Sequence, residues 1–320
     1  MRAHGARLAR HDWRRVAEVL RAQMPDSRIA AGAPLGALTT YRVGGPAGLL
    51  VEAGSEQDLQ SLAAVTAGQE WDVLVLGLGS NLLVDDAGFD GLALRLGAAF
   101  AAVRIDAPLV LAGGATALPV LARQCAGAGL GGFSWAVGVP GSVGGAVRMN
   151  AGGHGSEMRQ VLQRATIVDL ATGGTTRPAV EDLALAYRAS ALTSSQVVVK
   201  VELQLTSSER RREERLMREI VAWRRRNQPG GANTGSVFTN PPGDFAGRLI
   251  EAAGCRGLRL GSASVSSVHA NFIQADPGGT AADILTLMRE VARRVELHSG
   301  VRLHPETHLV GFDEPFRRGT

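Results

Sequence analysis

The sequence has almost no lysine and almost no cysteine. Lys200 is its only lysine, and valines flank it on both sides. A phosphate loop of the GxxxxGK[ST] type is therefore excluded. The two cysteines, Cys125 and Cys255, lie far apart and form no CxxC pair, so we expect neither a disulfide framework nor a cysteine-based zinc site. Both are predicted to be small buried apolar residues.

Long apolar runs and aromatic residues are also scarce. No apolar run approaches the roughly 18 residues that a membrane-spanning helix needs, and the arginine-rich N-terminus has no apolar segment typical of a secretory signal. We therefore expect a cytoplasmic protein without a membrane partner. Aromatic residues make up 4% of the chain, and arginines alternate with acids at 208–229, so no nucleic-acid partner is expected despite the basic balance.

Glycine, by contrast, is abundant, and it is concentrated in two places. Residues 138–155 read GVPGSVGGAVRMNAGGHG, with seven glycines around a lone Arg148 and Asn150. A second glycine turn, GLGSN at 77–81, follows an apolar segment; Leu82 stands where a dinucleotide fingerprint would need its third glycine. Glycine lets backbone N–H groups approach a ligand closely. Two such loops suit a large ligand with a pyrophosphate and a flat ring system, the alternative being ordinary turns and bulges.

The hydrophobic pattern predicts a mixed α/β chain without internal repeats. In chain order we expect an exposed basic helix within residues 1–30, two strands around a Gly-Gly-Pro turn (38–55), a helix capped by Ser55 (55–69), and a buried strand with a glycine turn and a second apolar segment (71–88). The middle section, roughly 101–206, is predicted to contain strands separated by turns, including 138–155 and a strand at 197–205, with one helix at 117–129. After it we expect a charged helix at 208–229, a helix capped by Asp244 (244–257), a helix capped by Thr280 (280–300) and a final strand. The strand at 197–205 is predicted to point every second residue, from Val197 to Leu205, toward one face.

Eight ordered motifs resemble one enzyme family. They are YRVGGPA (41–47), LGLGSNLLVDDAG (76–88), GVPGSVGGAVRMNAGG (138–153), YRAS (187–190), GSVFTNP (235–241), AGRLIEAAGCRG (246–257), VSSVHANF (265–272) and LHPETHLVG (303–311). Together they resemble UDP-N-acetylenolpyruvoylglucosamine reductase (MurB), a flavoenzyme of peptidoglycan synthesis. The short segment between the strand at 197–205 and Ser236 resembles the compact second type of this reductase.

This resemblance implies an α+β fold with a vanillyl-alcohol-oxidase (PCMH-type) FAD-binding domain and a C-terminal α+β substrate-binding domain. The implied division is a basic N-terminal extension (1–30), a FAD-binding domain (31–206) with subdomains of about 31–100 and 101–206, and a substrate-binding domain (207–320). The implied ligands are non-covalent FAD, NADPH as reductant and a UDP-sugar enolpyruvyl substrate. We expect the protein to act as a monomer.

The resemblance also implies the site residues. Ser236 matches the family's proton donor, Arg188 the arginine that holds the substrate carboxylate, and Glu306 the glutamate that assists the same intermediate. Gln228 and Asn240 match positions near the substrate diphosphate. The expected cofactor-binding residues are Tyr41, Arg42, Gly77, Gly79, Ser80, Asn81, Gly138, Pro140, Gly141, Ser142, Gly144, Gly145, Asn150 and Gly152.

Two departures from the family's motifs and two alternative functions accompany this interpretation. Thr239 stands where the family has a lysine, so arginines such as Arg224, Arg225 or Arg226 are expected to meet the phosphates, and His154 replaces a usual tyrosine. His304, Glu306 and His308 would share a face on a strand, but with Pro305 among them we predict no metal site. The alternatives to the reductase are another flavin oxidoreductase of the same fold, acting on an alcohol or sugar, and a non-catalytic flavin- or nucleotide-binding protein.

Overall fold

The structure is a computed structural model that describes residues 11–313. Within that range the helices are α1 (Trp13–Gln23), α2 (Glu56–Thr66), α3 (Leu118–Gly127), α4 (Val143–Arg148), α5 (Arg210–Asn227), α6 (Ala246–Ala252) and α7 (Ala281–Ser299). The strands are β1 (Arg28–Ala31), β2 (Ala47–Ala53), β3 (Val73–Leu76), β4 (Leu82–Val84), β5 (Phe89–Leu96), β6 (Val103–Asp106), β7 (Leu109–Gly113), β8 (Leu130–Gly131), β9 (Gly152–Gly153), β10 (Ser156–Glu157), β11 (Leu162–Asp169), β12 (Thr175–Thr176), β13 (Gln196–Gln204), β14 (Thr206–Ser207), β15 (Arg259–Leu260), β16 (Ala263–Val265), β17 (Ile273–Ala275) and β18 (His308–Val310).

The first unit is a four-stranded sheet in the order β1-β2-β5-β3. Strands β2, β5 and β3 are parallel, and β1 pairs antiparallel with β2 at the edge. Helix α2 connects β2 to β3. Ser55 caps it as predicted, because its hydroxyl accepts a hydrogen bond from the Asp58 amide at 3.1 Å.

The N-terminal helix differs from the exposed helix that the sequence predicts. Trp13, Ala17 and Leu20 on α1 are buried in the core of the first sheet. The Trp13 indole N–H donates to the Asp90 carboxylate at 2.7 Å. A Cβ at Gly48 would overlap that indole, so the ring lies directly on β2. The predicted strand before the Gly-Gly-Pro turn is absent from the described structure, where residues 36–38 form a 3-10 turn instead.

The second unit is an antiparallel sheet in the order β12-β11-β13-β7-β6, whose strands β11 and β13 contribute buried residues to two separate cores. Its central strand does not alternate as predicted, because Thr166 pairs with Lys200 whereas Ile167 pairs with Val198. One extra residue in β13 therefore shifts the register and reverses the faces. Val197 and Val199 face the first sheet, while beyond the irregularity Val201 joins the core under α3 and α4.

A short helix occupies the middle of the glycine-rich stretch, where strands and turns are predicted. Ser142 caps α4, its hydroxyl accepting from the Gly145 amide at 3.3 Å. The helix packs closely on β13, since a Cβ at Gly144 would come within 3.1 Å of the Val198 carbonyl oxygen. Close packing and the serine cap offset the low helix propensity of the two glycines.

The C-terminal unit packs α6 and α7 against the small sheet β15-β16-β17. The predicted caps of α7 are confirmed: Thr280 accepts from the Asp283 amide, and Gly300 ends the helix at φ 70°. The predicted cap of α6 is wrong by one residue. Phe245 takes the N-cap position, and Asp244 pairs with Arg248 instead. Helix α5, which the sequence-based division assigns to this unit, contributes Met217 to the core of the second sheet.

Three contacts dock the C-terminal unit on the first one. Strand β18 pairs in parallel with β4. The Asp86 carboxylate accepts hydrogen bonds from the Ala281 and Ala282 amides at the start of α7, at 2.8 and 2.9 Å. The third contact is the Tyr41 side chain, which lies inside the C-terminal core. This docking brings the 77–81 turn next to residues 304–308. Over residues 11–313, no helix is long and apolar enough to cross a membrane.

Candidate active site

A cleft of about 500 Å³ lies where the three units meet. Its volume is within the range typical of small-molecule and cofactor sites. Most of the residues that the sequence predicts for the site line it: Gly77, Gly79, Ser80, Asn81, Gly138, Pro140, Gly141, Ser142, Gly144, Gly145, Gly152, Arg188, Gln228, Ser236 and Glu306. The cleft therefore joins both glycine loops to all three residues expected to be catalytic.

The two glycine loops contact each other and form one wall of the cleft. The Ser80 hydroxyl donates to the Pro140 carbonyl oxygen at 2.8 Å. A Cβ at Gly77 would lie 2.6 Å from the Ser142 hydroxyl, and one at Gly79 would overlap the Leu38 carbonyl oxygen. Gly79 also has φ 65°, a left-handed conformation that disfavours other residues. Glycine is thus favoured at position 79 by its left-handed backbone and by the close approach of the Leu38 backbone, whereas a side chain at position 77 would displace the Ser142 side chain.

The residues present fit a flavin cofactor with a pyrophosphate. The glycine wall exposes backbone to the cleft, and apolar side chains such as Leu118 and Val139 complete a surface suited to a flat ring. The amide oxygen of Gln228 is buried in the cleft without a hydrogen-bond partner in the described part of the chain. A buried polar atom in this state is available to a ligand or to an ordered water.

Glu306 connects the three parts of the chain that form the end of the cleft where Arg188 and Ser236 lie. Its backbone N–H donates to the Val237 carbonyl oxygen at 2.7 Å, directly beside Ser236. Its backbone carbonyl oxygen accepts from the side-chain amide of Asn81 at 3.0 Å. Its carboxylate accepts from Arg188 Nε at 2.6 Å, across 118 residues of sequence. One residue therefore fixes the glycine turn, the serine loop and the arginine turn relative to each other.

Burial and the neighbouring Arg188 act in opposite directions on the pKa of Glu306. Burial raises the pKa of the Glu306 carboxyl above its ordinary value, and the charge and hydrogen bond of Arg188 offset part of that effect. The carboxyl group therefore retains its proton to a higher pH than an exposed glutamate would.

Arg188 lies at the tip of a tight turn. Ala186 and Ala189 exchange backbone hydrogen bonds of 3.0 and 3.2 Å around Tyr187 and Arg188. Arg188 has φ 55°, at the turn position where glycine is usually preferred. Its guanidinium lies 5.1 Å from the centre of the Tyr187 ring. A non-glycine residue held in this conformation is typical of functional sites.

Ser236 is half-buried in a loop that the C-terminal unit holds on both sides. The preceding Thr234 hydroxyl lies 3.0 Å from the Thr307 hydroxyl, and the following Val237 amide donates to the Asn271 carbonyl oxygen at 2.9 Å. Gly235 has φ 80°, which turns the chain into the cleft. The serine hydroxyl is therefore presented by a rigid segment, as a proton donor requires.

Two predicted cofactor contacts lie outside the cleft. Tyr41 is fully buried in the C-terminal core, where its hydroxyl donates to the Ile273 carbonyl oxygen at 3.2 Å and burial raises the pKa of that hydroxyl. Arg42 is exposed in a turn with φ 58°. Both residues lie close to a glycine pair in the sequence. That position alone does not show whether a side chain contacts the cofactor or holds two units of the protein together.

Two further predicted residues are also absent from the cleft wall. Asn150 is completely buried beneath it, with its amide bonded to Glu157 and Ala186. Asn240 is exposed, and its side-chain oxygen accepts from the Ala246 amide at 3.0 Å, so it holds the start of α6. Both side chains are occupied by the protein itself.

The cleft also contains residues that the sequence interpretation missed. Thr40, Arg95 and Ser194 line it without being predicted. A signal existed for Arg95, because a charged residue interrupts the apolar run LALRL of β5. Among the three arginines suggested for phosphate binding, Arg224 alone lines the cleft. No group of three potential metal ligands occurs among residues 11–313.

Replacing Tyr41 with phenylalanine tests its placement between the units. We expect the free energy of unfolding to fall by about 1–2 kcal/mol, because the Ile273 carbonyl loses its buried donor. The flavin absorption spectrum should stay unchanged. Chemical denaturation followed by fluorescence gives the first quantity. A shifted flavin spectrum at unchanged stability would instead make Tyr41 a cofactor contact.

Comparisons with known proteins agree with this geometry. Residues 227–310 match the family model of the UDP-N-acetylenolpyruvoylglucosamine reductase C-terminal domain, and residues 47–177 match that of an FAD binding domain. The chain is 43% identical to UDP-N-acetylenolpyruvoylglucosamine reductase 2 of Symbiobacterium thermophilum, over 94% of this chain and 98% of that protein. It is 42% identical to the corresponding reductase of Rubrobacter xylanophilus, over 87% of this chain and 94% of that protein. The crystal structure of the reductase from Thermus caldophilus superposes with a TM-score of 0.78 at 34% identity, covering 89% of this chain and 99% of that one.

Proposed function

The chain belongs to the UDP-N-acetylenolpyruvoylglucosamine reductase (MurB) family, and on that premise we propose how its own residues carry the reaction. The resemblance drawn from the eight motifs is confirmed, as are the FAD-binding fold and FAD as cofactor. The protein is an FAD-dependent oxidoreductase of peptidoglycan synthesis. NADPH as reductant, the source of the proton, the monomeric state and the cytoplasmic location remain predictions.

The reaction adds two hydrogens across the enolpyruvyl double bond. The glycine wall of the cleft would hold FAD, which, once reduced by NADPH, would supply a hydride from its N5 atom to the vinyl carbon of the substrate. Addition there moves the electron pair of the double bond into the substrate carboxylate, which becomes doubly anionic. A proton on the carbon that bears the ether oxygen then completes the lactyl product. The protein must therefore stabilise the added negative charge and deliver one proton.

Arg188 is proposed to stabilise the charge. A guanidinium offers two parallel N–H donors to a carboxylate and stays charged at any working pH. Burial raises the pKa of its present partner, Glu306, so this carboxyl takes up a proton at a higher pH than an exposed glutamate would. Protonation of Glu306 when the substrate carboxylate arrives would leave Arg188 free to pair with the substrate. The 2.6 Å Arg188–Glu306 contact at the Ser236 loop is the single observation that carries this proposal.

Ser236 is proposed to donate the proton. A serine hydroxyl is a weak acid and needs a neighbour that stabilises the alkoxide or relays a proton. Glu306 is joined to the Ser236 loop by the Glu306–Val237 backbone bond, and Arg188 contacts the Glu306 carboxylate. A neutral Glu306 can return a proton to the site after each turnover.

Arg224 is proposed to bind the substrate diphosphate. It is half-buried, and it has no ion pair among residues 11–313, unlike Arg95 and Arg188 in the same cleft. A partly desolvated cation without a protein partner indicates an anionic ligand.

Replacing Arg224 with alanine should raise KM for the enolpyruvyl substrate by about tenfold or more while changing kcat little, because a charge-assisted hydrogen bond is lost from bound substrate and transition state alike. Steady-state kinetics at saturating NADPH measure this. Arg225→Ala on the adjacent, exposed position is the control and should match the wild type. If Arg224→Ala kept the same KM as Arg225→Ala, Arg224 would not bind the substrate. If Arg224→Ala lost FAD and Arg225→Ala did not, Arg224 would be a cofactor-binding residue.

The activity itself is tested by incubating the protein with FAD, NADPH and the UDP-sugar enolpyruvate. We expect NADPH oxidation that depends on the sugar nucleotide, with a product two hydrogens heavier by mass spectrometry. NADPH oxidation that depends only on oxygen would support another flavin oxidoreductase of the same fold.

A further inference from the structure

The segment that carries Arg188 is held by the end of the glycine-rich stretch. Residues 186–193 contain little regular structure, and the turn at their start places Arg188 in a conformation that favours glycine. A turn of this kind relaxes unless other groups fix it. Arg148 and Asn150, the two polar residues that stand out in the glycine stretch, both bind this segment.

Asn150 holds the turn itself. Its side-chain amide donates to the Ala186 carbonyl oxygen at 3.1 Å and to the Glu157 carboxylate at 2.9 Å. Its side-chain oxygen accepts from the Arg159 amide at 3.0 Å. The residue is completely buried, with φ 38°. Both N–H groups are used within the protein, which argues against the cofactor contact predicted from the sequence.

Arg148 holds the other end of the segment. One guanidinium nitrogen donates to the Leu192 and Thr193 carbonyl oxygens at 2.8 and 2.5 Å. The Arg148 carbonyl oxygen accepts from the Ser190 hydroxyl at 2.7 Å. The segment is thus bound at both ends by residues that follow the cofactor wall in sequence.

We propose that Asn150 is a positioning residue that fixes the Ala186–Ala189 turn and so places the Arg188 guanidinium against Glu306 and the substrate carboxylate, with Arg148 anchoring the rest of the segment. The inference rests on the proposed function for the role of Arg188, whereas the position of its guanidinium follows from the hydrogen bonds described above and does not depend on that function. In this arrangement Arg148 and Asn150 connect the glycine-rich wall of the cofactor site to the segment that carries Arg188.

The test is Asn150→Gly in the full-length protein loaded with FAD. Glycine keeps the left-handed backbone and removes only the side-chain bonds. We expect kcat to fall on the order of ten- to a hundredfold, as for a small displacement of a reacting group. The dissociation constant of FAD should stay within about twofold of the wild-type value, since hydrogen bonds that the variant removes go to protein atoms.

A second readout does not depend on activity. Arg188 lowers the pKa of Glu306 by its charge and hydrogen bond and is the charged group facing that carboxyl. Withdrawal of Arg188 should therefore move the pKa of Glu306 upward, measured by a carbon-13 carboxyl titration with the resonance assigned from Glu306→Gln. The amide exchange of Ala189, which closes the turn, should accelerate.

The controls separate positioning from general loosening. Ala184→Gly relieves another left-handed residue (φ 44°) just before the turn without removing a side-chain hydrogen bond, and it should behave as wild type. In a double-mutant cycle, Asn150→Gly should cost much less in an Arg188→Lys background than alone, because both act through one group.

Several outcomes would overturn the proposal. Loss of FAD affinity with an unmoved Glu306 titration would make Asn150 a cofactor residue after all. If the effects of Asn150→Gly and Arg188→Lys on kcat were fully additive, Asn150 would not act through Arg188. The same conclusion would follow if a folded Asn150→Gly variant kept the wild-type kcat and the wild-type titration of Glu306. If Asn150→Gly does not fold, Ser190→Ala must give a smaller upward shift of the same titration, and an unmoved titration there counts against the proposal. A wild-type protein inactive on the enolpyruvyl substrate would refute the proposed function but leave the titration test intact.

Discussion

Replacing Ser236 with alanine should lower kcat on the order of a thousandfold, within the range that a positioned proton donor contributes. The transfer of hydride from NADPH to FAD needs no proton from Ser236, so oxidation of NADPH in the absence of sugar nucleotide should keep its wild-type rate. Stopped-flow absorbance measures that half-reaction, and product formation measures the other. A normal rate of NADPH oxidation together with slow product formation would show that the variant has lost proton delivery.

The matched control for this variant is Ser267→Ala. Ser267 is an exposed serine outside the cleft, and its removal should leave both half-reactions unchanged. If Ser236→Ala formed product at the wild-type rate, the proton would have to come from another group or from water.

Replacing Arg188 with alanine should lower kcat by about a hundredfold to a thousandfold, the loss typical of a group that stabilises developing negative charge. It should also change the pH dependence. Burial raises the pKa of Glu306 and Arg188 lowers it, so the variant carries a Glu306 with a still higher pKa. If neutral Glu306 supports turnover, activity is present below this pKa and falls as pH rises through it. The falling limb of the kcat profile should therefore move to higher pH.

Arg177→Ala provides the control for charge alone. Arg177 forms an exposed ion pair with Glu202 away from the cleft, and such pairs contribute little. Its kcat and pH profile should match the wild type. An Arg188 variant whose falling limb stays in place would mean that a group other than Glu306 sets it.

The residues proposed to carry the reaction could be picked out from the sequence, whereas several supporting residues could not. Ser236, Arg188 and Glu306 each lie in a motif, and the structure places Arg188 against Glu306 although 118 residues separate them. These three residues could be identified from short local motifs, without knowing how the surrounding core packs. Tyr41 and Asn150 differ, because each is buried only once distant segments have packed around it.

Local structure failed to follow the sequence pattern where tertiary contacts determine it. Helix α4 contains two adjacent glycines, Gly144 and Gly145, and propensity alone opposes a helix there. The Ser142 cap and the close approach to β13 stabilise it, and neither is visible before the sheet exists. The altered alternation after Val199 has the same origin, because a register shift depends on the partner strand.

The most direct test of the central claim is an anaerobic absorption experiment on the purified protein with FAD. The account predicts that NADPH bleaches the flavin absorption and that the UDP-sugar enolpyruvate alone restores it, in proportion to product formed. Recovery that requires oxygen, with no reaction of the enolpyruvyl compound, would contradict the account.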